Sequence, residues 1–140
     1  DFKKPKLNGL GILWLTFNPR IAFQYGAKSY SKKPVSYVWE LELKSGEKLP
    51  NFRDLKHPAI RAAFEAQNEA NSMGLGAWTE DDWKQHADFG VIERWGWMVG
   101  LLKSKRLDGV VIQDSLGTID IAHASVALFK LGAITSMERK

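Results

Sequence analysis

Val35, Tyr37, Trp39, Leu41 and Leu43 alternate with Ser36, Val38, Glu40 and Glu42, and this period of two predicts a strand with one buried face. Leu10 to Thr16 is a continuous apolar run too short for a helix, which predicts a buried strand. Asn18-Pro19 turns the chain into a short helix over residues 20 to 25, with Pro19 just ahead of the first helical turn. A helix is predicted over 54 to 71, with Asp54 as a cap, Pro58 in its first turn and an Ala-rich run to Ala70. Thr79 followed by Asp82 has the form of a capping box, opening a helix to about Phe89. Gly90 then separates a third helix, whose apolar stripe is Val91, Trp95, Met98, Val99 and Leu102. Asp108-Gly109 turns the chain into a strand at Val110 to Ile112. Residues 114 to 122 read as a loop, Ser125 to Phe129 as a strand, and Ala133 to Met137 as a last strand. Helices in the middle and strands at both ends predict an α+β fold rather than regular βαβ winding.

The 140 residues, with 44% hydrophobic and 26% charged side chains, suit a single globular domain over 1–140. No apolar run reaches the ~20 residues that span a bilayer, so no membrane association is expected. The first residues, Asp1, Phe2, Lys3 and Lys4, lead into no apolar leader segment. The chain does not open with Met, so it is expected to be a fragment, a processed product or the ordered part of something longer. Cytoplasmic action is the simplest expectation, with secretion or packaging in a virion left open. No cysteine is present, which removes disulfides and thiolate chemistry, and three scattered His residues give no metal-binding pattern, so no metal is expected.

Net charge is +4, with the cations concentrated at Lys3/Lys4/Lys6, Lys28/Lys32/Lys33 and Lys103/Lys105/Arg106. The last group closes a helix, where cations favour the dipole. The middle group lies in a Ser/Lys/Pro loop.

The chemistry concentrates in Trp14 to Tyr25, where a strand aromatic and a helix tyrosine can frame a slot for a flat ligand. The spacing Trp14-x-Thr16-x-Asn18-Pro19-x-x-Ala22-x-x-Tyr25 resembles the ADP-ribosyltransferase-like domains of phage and bacterial polyvalent proteins and toxins. Two further pieces carry the resemblance in the same order. One is the strand Val35 to Leu43. The other is Leu107-Asp108-Gly109-Val110-Val111-Ile112, followed by Ser125 to Phe129 and Ala133-Ile134.

The resemblance implies split antiparallel β-sheets with a central helical segment, NAD as the substrate, and a protein or nucleic acid as the acceptor of ADP-ribose. Trp14 and Tyr25 would frame the nicotinamide, and Thr16 would hydrogen-bond near the ribose. Ser125 falls where many active members carry the catalytic Glu. Serine does not stabilise a developing cation as a carboxylate does, so Asp114 and Asp120, in the preceding loop, are candidates for that charge. The His or Arg that precedes the strand aromatic in the family has no counterpart in residues 1 to 13. A second expectation is therefore a catalytically degenerate relative that binds a partner through a basic, Trp-bearing surface. A third is a small nucleic-acid-binding protein using Lys28, Lys32 and Lys33.

Simpler roles compete at each position. Trp14 and Tyr25 also suit core edges, and Ser125 suits an ordinary strand position. His57 reads as a helix-start residue, His86 as an exposed helix flank, and His123 as the one His close to the candidate strand. Trp78, Trp83, Trp95 and Trp97 read as packing in the helical part; Trp97 lies off the main stripe, and a contact surface is its alternative reading.

Overall fold

A computed structural model describes residues 4–17, 39–44, 48–71, 77–115 and 122–139. Strands β1 (Leu13–Thr16) and β2 (Trp39–Leu43) precede the helices α1 (Pro58–Ala70), α2 (Glu80–His86), α3 (Phe89–Arg94) and α4 (Trp97–Ser104). Strands β3 (Gly109–Ser115), β4 (Ala122–Leu128) and β5 (Ile134–Arg139) follow, with a 3-10 turn at Leu131–Ala133 between the last two. The fold is α+β with two antiparallel sheets, as the distribution of elements along the chain predicts.

One sheet has the order β1-β4-β3 and the other pairs β2 with β5. The three-stranded sheet is the middle layer. Val110, Ile112, Ala127 and Phe129 face the helices, in one cluster with Phe52, Ile60, Trp83, Met98 and Leu102. Val126 and Leu128 face the two-stranded sheet, packing with Leu13, Leu15, Val111, Leu43 and Ile134. A sheet covered on both sides needs apolar residues on both faces, which is why Leu13 to Leu15, Val110 to Ile112 and Val126 to Leu128 are continuous apolar runs within their strands. The β2 strand shows alternation because only one of its faces is covered: Leu41 and Leu43 are half-buried and Glu40 and Glu42 exposed.

Local chemistry moves several boundaries. The first strand begins at Leu13 rather than Leu10, because Asn8 folds the preceding residues into a turn. Its Oδ1 accepts from the amides of Leu10 (2.9 Å) and Ile12 (3.1 Å), and Gly11 supplies the left-handed φ of 81°. Helix α1 begins at Pro58, not Asp54, whose carboxylate accepts from the Lys56 amide (3.0 Å) in a local turn. The cap is His57, whose Nδ1 accepts from the Ala59 amide (3.2 Å). Gly90 does not separate two helices. It lies inside α3, where Asp88 caps by accepting the Gly90 amide (2.9 Å); the break between α2 and α3 falls at Ala87-Asp88, and a second break at Trp95-Gly96 divides the expected third helix into α3 and α4. Residues 114 and 115 belong to β3 and 122 to 124 to β4, because the β3–β4 ladder continues through Asp114↔His123 and Ser115↔Ala122. The turn at Asn18-Pro19, the helix over 20–25, the start of the Val35 strand and Lys28/Lys32/Lys33 lie outside the described residues.

The capping box of α2 forms as the sequence predicts: Thr79 Oγ1 accepts the Asp82 amide (3.1 Å), and the Asp82 carboxylate accepts the Thr79 amide (3.0 Å). The backbone and side-chain hydrogen bonds from Thr79 hold the Asp82 carboxyl below its ordinary range. A depressed folded-state pKa contributes stability that is complete above the ordinary carboxylate range and is lost as pH falls through the folded value. Thr79→Ala is expected to cost about 1 kcal/mol, the usual worth of an N-cap side chain, and to relieve only part of the Asp82 depression, because the backbone N–H of residue 79, its largest cause, is retained. Urea unfolding and an NMR pH titration check the two effects; an Asp82 titration that returned fully to the ordinary carboxylate range would show that the Thr79 side chain, not the backbone amide, holds it down.

Candidate functional site

The sheet brings together three of the residues proposed from sequence. Thr16 is the direct partner of Ser125 across the β1–β4 ladder, and Ile112 is the partner of Ser125 on its other side. Directly opposed residues of antiparallel strands have Cα atoms about 4.5–5.5 Å apart. Trp14 lies two residues before Thr16 and pairs with Ala127. Side chains alternate along a strand, so Trp14, Thr16, Ser125 and Ala127 share the face toward the helices, where Trp14 packs half-buried against the core. Thr16 is half-buried, and Ser125 is 5% exposed in the central strand.

The face carries one ring and two hydroxyls beside Ala127 and Ile112, at the sheet end where β1 stops. Exposed Phe17 immediately follows Thr16. Asp114 is in β3 rather than in a loop, paired through its backbone with His123, two residues beyond Ile112. Tyr25 and Asp120 lie outside the described residues. Among the described residues, no group of three or more His, Asp or Glu side chains is arranged to hold a metal ion, and no helix is long and apolar enough to cross a membrane.

The Asp108-Gly109 pair, expected as a simple turn, is a three-way junction. The Lys48 carbonyl accepts from the amides of Asp108 (2.8 Å) and Gly109 (3.3 Å), and the Asp108 carbonyl accepts from the Phe129 amide (2.7 Å). Beyond it, Val111 exchanges backbone hydrogen bonds with Pro50 and Phe52, each 2.8 Å, so residues 50–52 cover the outer edge of β3.

The helical tryptophans divide into packing and surface, and Trp97 takes the second of its two expected roles. Trp83 is fully buried, and Trp78 stacks edge-on against Trp83 (6.1 Å) and Trp95 (6.3 Å). His86 is exposed and meets the Trp78 ring edge-on at 6.3 Å. Trp97 is 41% exposed and, with Ala66, Glu69 and Ala70, lines a notch of about 300 Å³ that none of the proposed site residues enters.

Sequence reasoning missed Gln67. Its side chain is fully buried on α1, and neither amide atom has a hydrogen-bond partner. A buried polar group left so costs about 1–3 kcal/mol. Its position seven residues after Ile60 and four after Ala63 was the available signal, because that spacing places it on the apolar face of the helix.

Comparison with protein families, curated proteins and solved structures finds no match for this chain.

Proposed function

We propose that the chain is an ADP-ribosyltransferase-like domain of phage or bacterial origin that binds NAD at the Thr16–Ser125 end of the three-stranded sheet and acts on a macromolecular acceptor in a cytoplasmic setting. The observation that carries the reading is the register itself. Thr16 and Ser125 are far apart in sequence and are drawn from two separate motifs of the resemblance, yet they are direct partners across β1 and β4. The arrangement of two antiparallel sheets, with the helices between their strands in chain order, is compatible with that class.

Transfer of ADP-ribose breaks the bond between ribose and nicotinamide as positive charge grows on the sugar. In this reading Trp14 and Tyr25 hold the nicotinamide flat, and Thr16 and Ser125 give hydroxyls to the ribose. A carboxylate from Asp114 or Asp120 offsets the charge, in the manner of other preorganised sites.

Titration with NAD, read by tryptophan fluorescence and by release of free nicotinamide, tests the proposal. Binding with release is the expected result. Binding without release would favour the degenerate module, for which the deep burial of Ser125 and the absence of a Glu there argue. No binding at millimolar NAD would end the enzyme reading. Tyr25→Ala is expected to weaken NAD binding by about 1–3 kcal/mol, as loss of a stacking platform does; an unchanged affinity would remove Tyr25 from the site.

A further inference from the structure

Six cations that are scattered along the sequence belong to segments knotted together at one end of the sheets. Lys103, Lys105 and Arg106 close α4 and lead directly into Asp108, whose amide is bonded to the Lys48 carbonyl. The Asp108 carbonyl takes the amide of Phe129, the residue before Lys130. The Ala133 amide donates to the Lys130 carbonyl (3.2 Å), and the Ala133 carbonyl accepts from the Lys44 amide (2.9 Å). Five of the six are exposed and Lys130 is half-buried. The salt bridge found among the described residues, Arg61 to Glu80, involves none of them. The acids nearest in these segments are Asp108 and Glu42, while Glu47 lies outside the described residues.

Arg106 adds a second observation. It sits in the left-handed region at φ 66° and closes the helix end, with the Arg106 amide on the Lys103 carbonyl (2.9 Å) and the Leu107 amide on the Leu102 carbonyl (3.2 Å). Glycine fills this position most readily, and an L side chain there is strained. The chain keeps a cation where local conformation favours none.

We infer that this end of the molecule is a docking surface for the phosphate backbone of a nucleic acid. It lies about 10 Å from Ser125, the length of the three residues from Gly109 to Ile112 along β3, and it does not depend on NAD binding. Charge complementarity favours the partner class: neutralising phosphates supplies most of non-specific nucleic-acid affinity, whereas stable seating on a lipid surface needs an apolar or acyl insertion besides a basic patch. Among the described residues 103–108 and 129–133, Leu131 is the one large exposed apolar side chain, and the exposed Trp97 lies at the other end of α4.

Fluorescence anisotropy with a labelled duplex of mixed sequence, over a salt series from about 50 mM upward, tests the surface. Contacts from all six cations correspond to a log–log salt slope of about −5. The triple change Lys105→Glu, Arg106→Glu and Lys130→Glu is expected to reduce that slope by about three, while Lys84→Glu on α2 leaves it unchanged. Arg106→Gly guards against a folding artefact: it is expected to raise the melting temperature by about 2–5 °C while reducing the slope by about one. Absence of duplex binding at low salt, a slope unaffected by the triple change, or equal binding of poly-glutamate or phosphatidylserine vesicles would each overturn the assignment. NAD titration of the same triple variant separates this surface from the proposed NAD site.

Discussion

Trp83→Ala is expected to lower stability by about 3–5 kcal/mol, the range for truncating a large buried aromatic. The ring is fully buried at the centre of the helix-side core, 5.0 Å from Phe52 and 5.7 Å from Phe64 between ring centroids, and it also meets Trp78. Two effects add. The cavity forfeits packing on three neighbouring rings, and the Phe52 carbonyl loses the indole N–H that bonds it at 2.8 Å. Phe52 belongs to the segment that covers the edge of β3, so the tryptophan ties the helical layer to the sheet. Domains of this size are stable by about 5–15 kcal/mol in all, so the variant is expected to be substantially unfolded under mild denaturant. Trp83→Phe separates the two effects: it retains most of the ring and should cost about 1–3 kcal/mol for the orphaned carbonyl and lost volume. Urea unfolding followed by far-UV circular dichroism gives both values. A cost below about 1 kcal/mol for the alanine variant would mean that the cluster repacks without this ring.

Gly109→Ala is the second large effect, with an expected cost of about 2–3 kcal/mol from overpacking. A Cβ at Gly109 would run into the Ala127 carbonyl oxygen, with the Leu128 Cα at 3.0 Å and a Leu49 methyl at 3.1 Å. Two of these three are backbone atoms of β4, the central strand, which is held by ladders on both sides. The Gly109 amide is itself bonded to Lys48, so neither partner can retreat cheaply. The glycine is required by close approach of two backbones rather than by a turn conformation. Thermal unfolding of Gly109→Ala measures the cost, and Gly100→Ala is the comparison, since no atom lies within 4 Å of a Cβ there. Equal melting temperatures for the two variants would show that β4 yields at this point.

The NAD proposal is most exposed at Ser125. A residue 5% exposed reaches a ligand only at the end of the sheet, where β1 stops at Thr16. Nicotinamide release is therefore the decisive measurement for catalysis, whereas binding by itself speaks to the slot.

Local sequence determined the kind of element at most positions. The alternation through Leu43 gave a half-covered strand, Thr79 and Asp82 gave a capped helix, and the Ala-rich run gave α1, because each signal acts within one or two turns of chain. Boundaries failed where a short polar side chain folded back on its own backbone, as Asn8, Asp54 and Asp88 do, an outcome that propensity does not distinguish from a cap one position away. Only the tertiary structure decided that β1 pairs with β4 and β2 with β5, that Asp108-Gly109 is a junction, and that cations from separate segments share one end of the molecule. Those facts rest on contacts between residues distant in the chain. Such contacts are selected by which apolar faces can be buried together, and no local pattern encodes that choice.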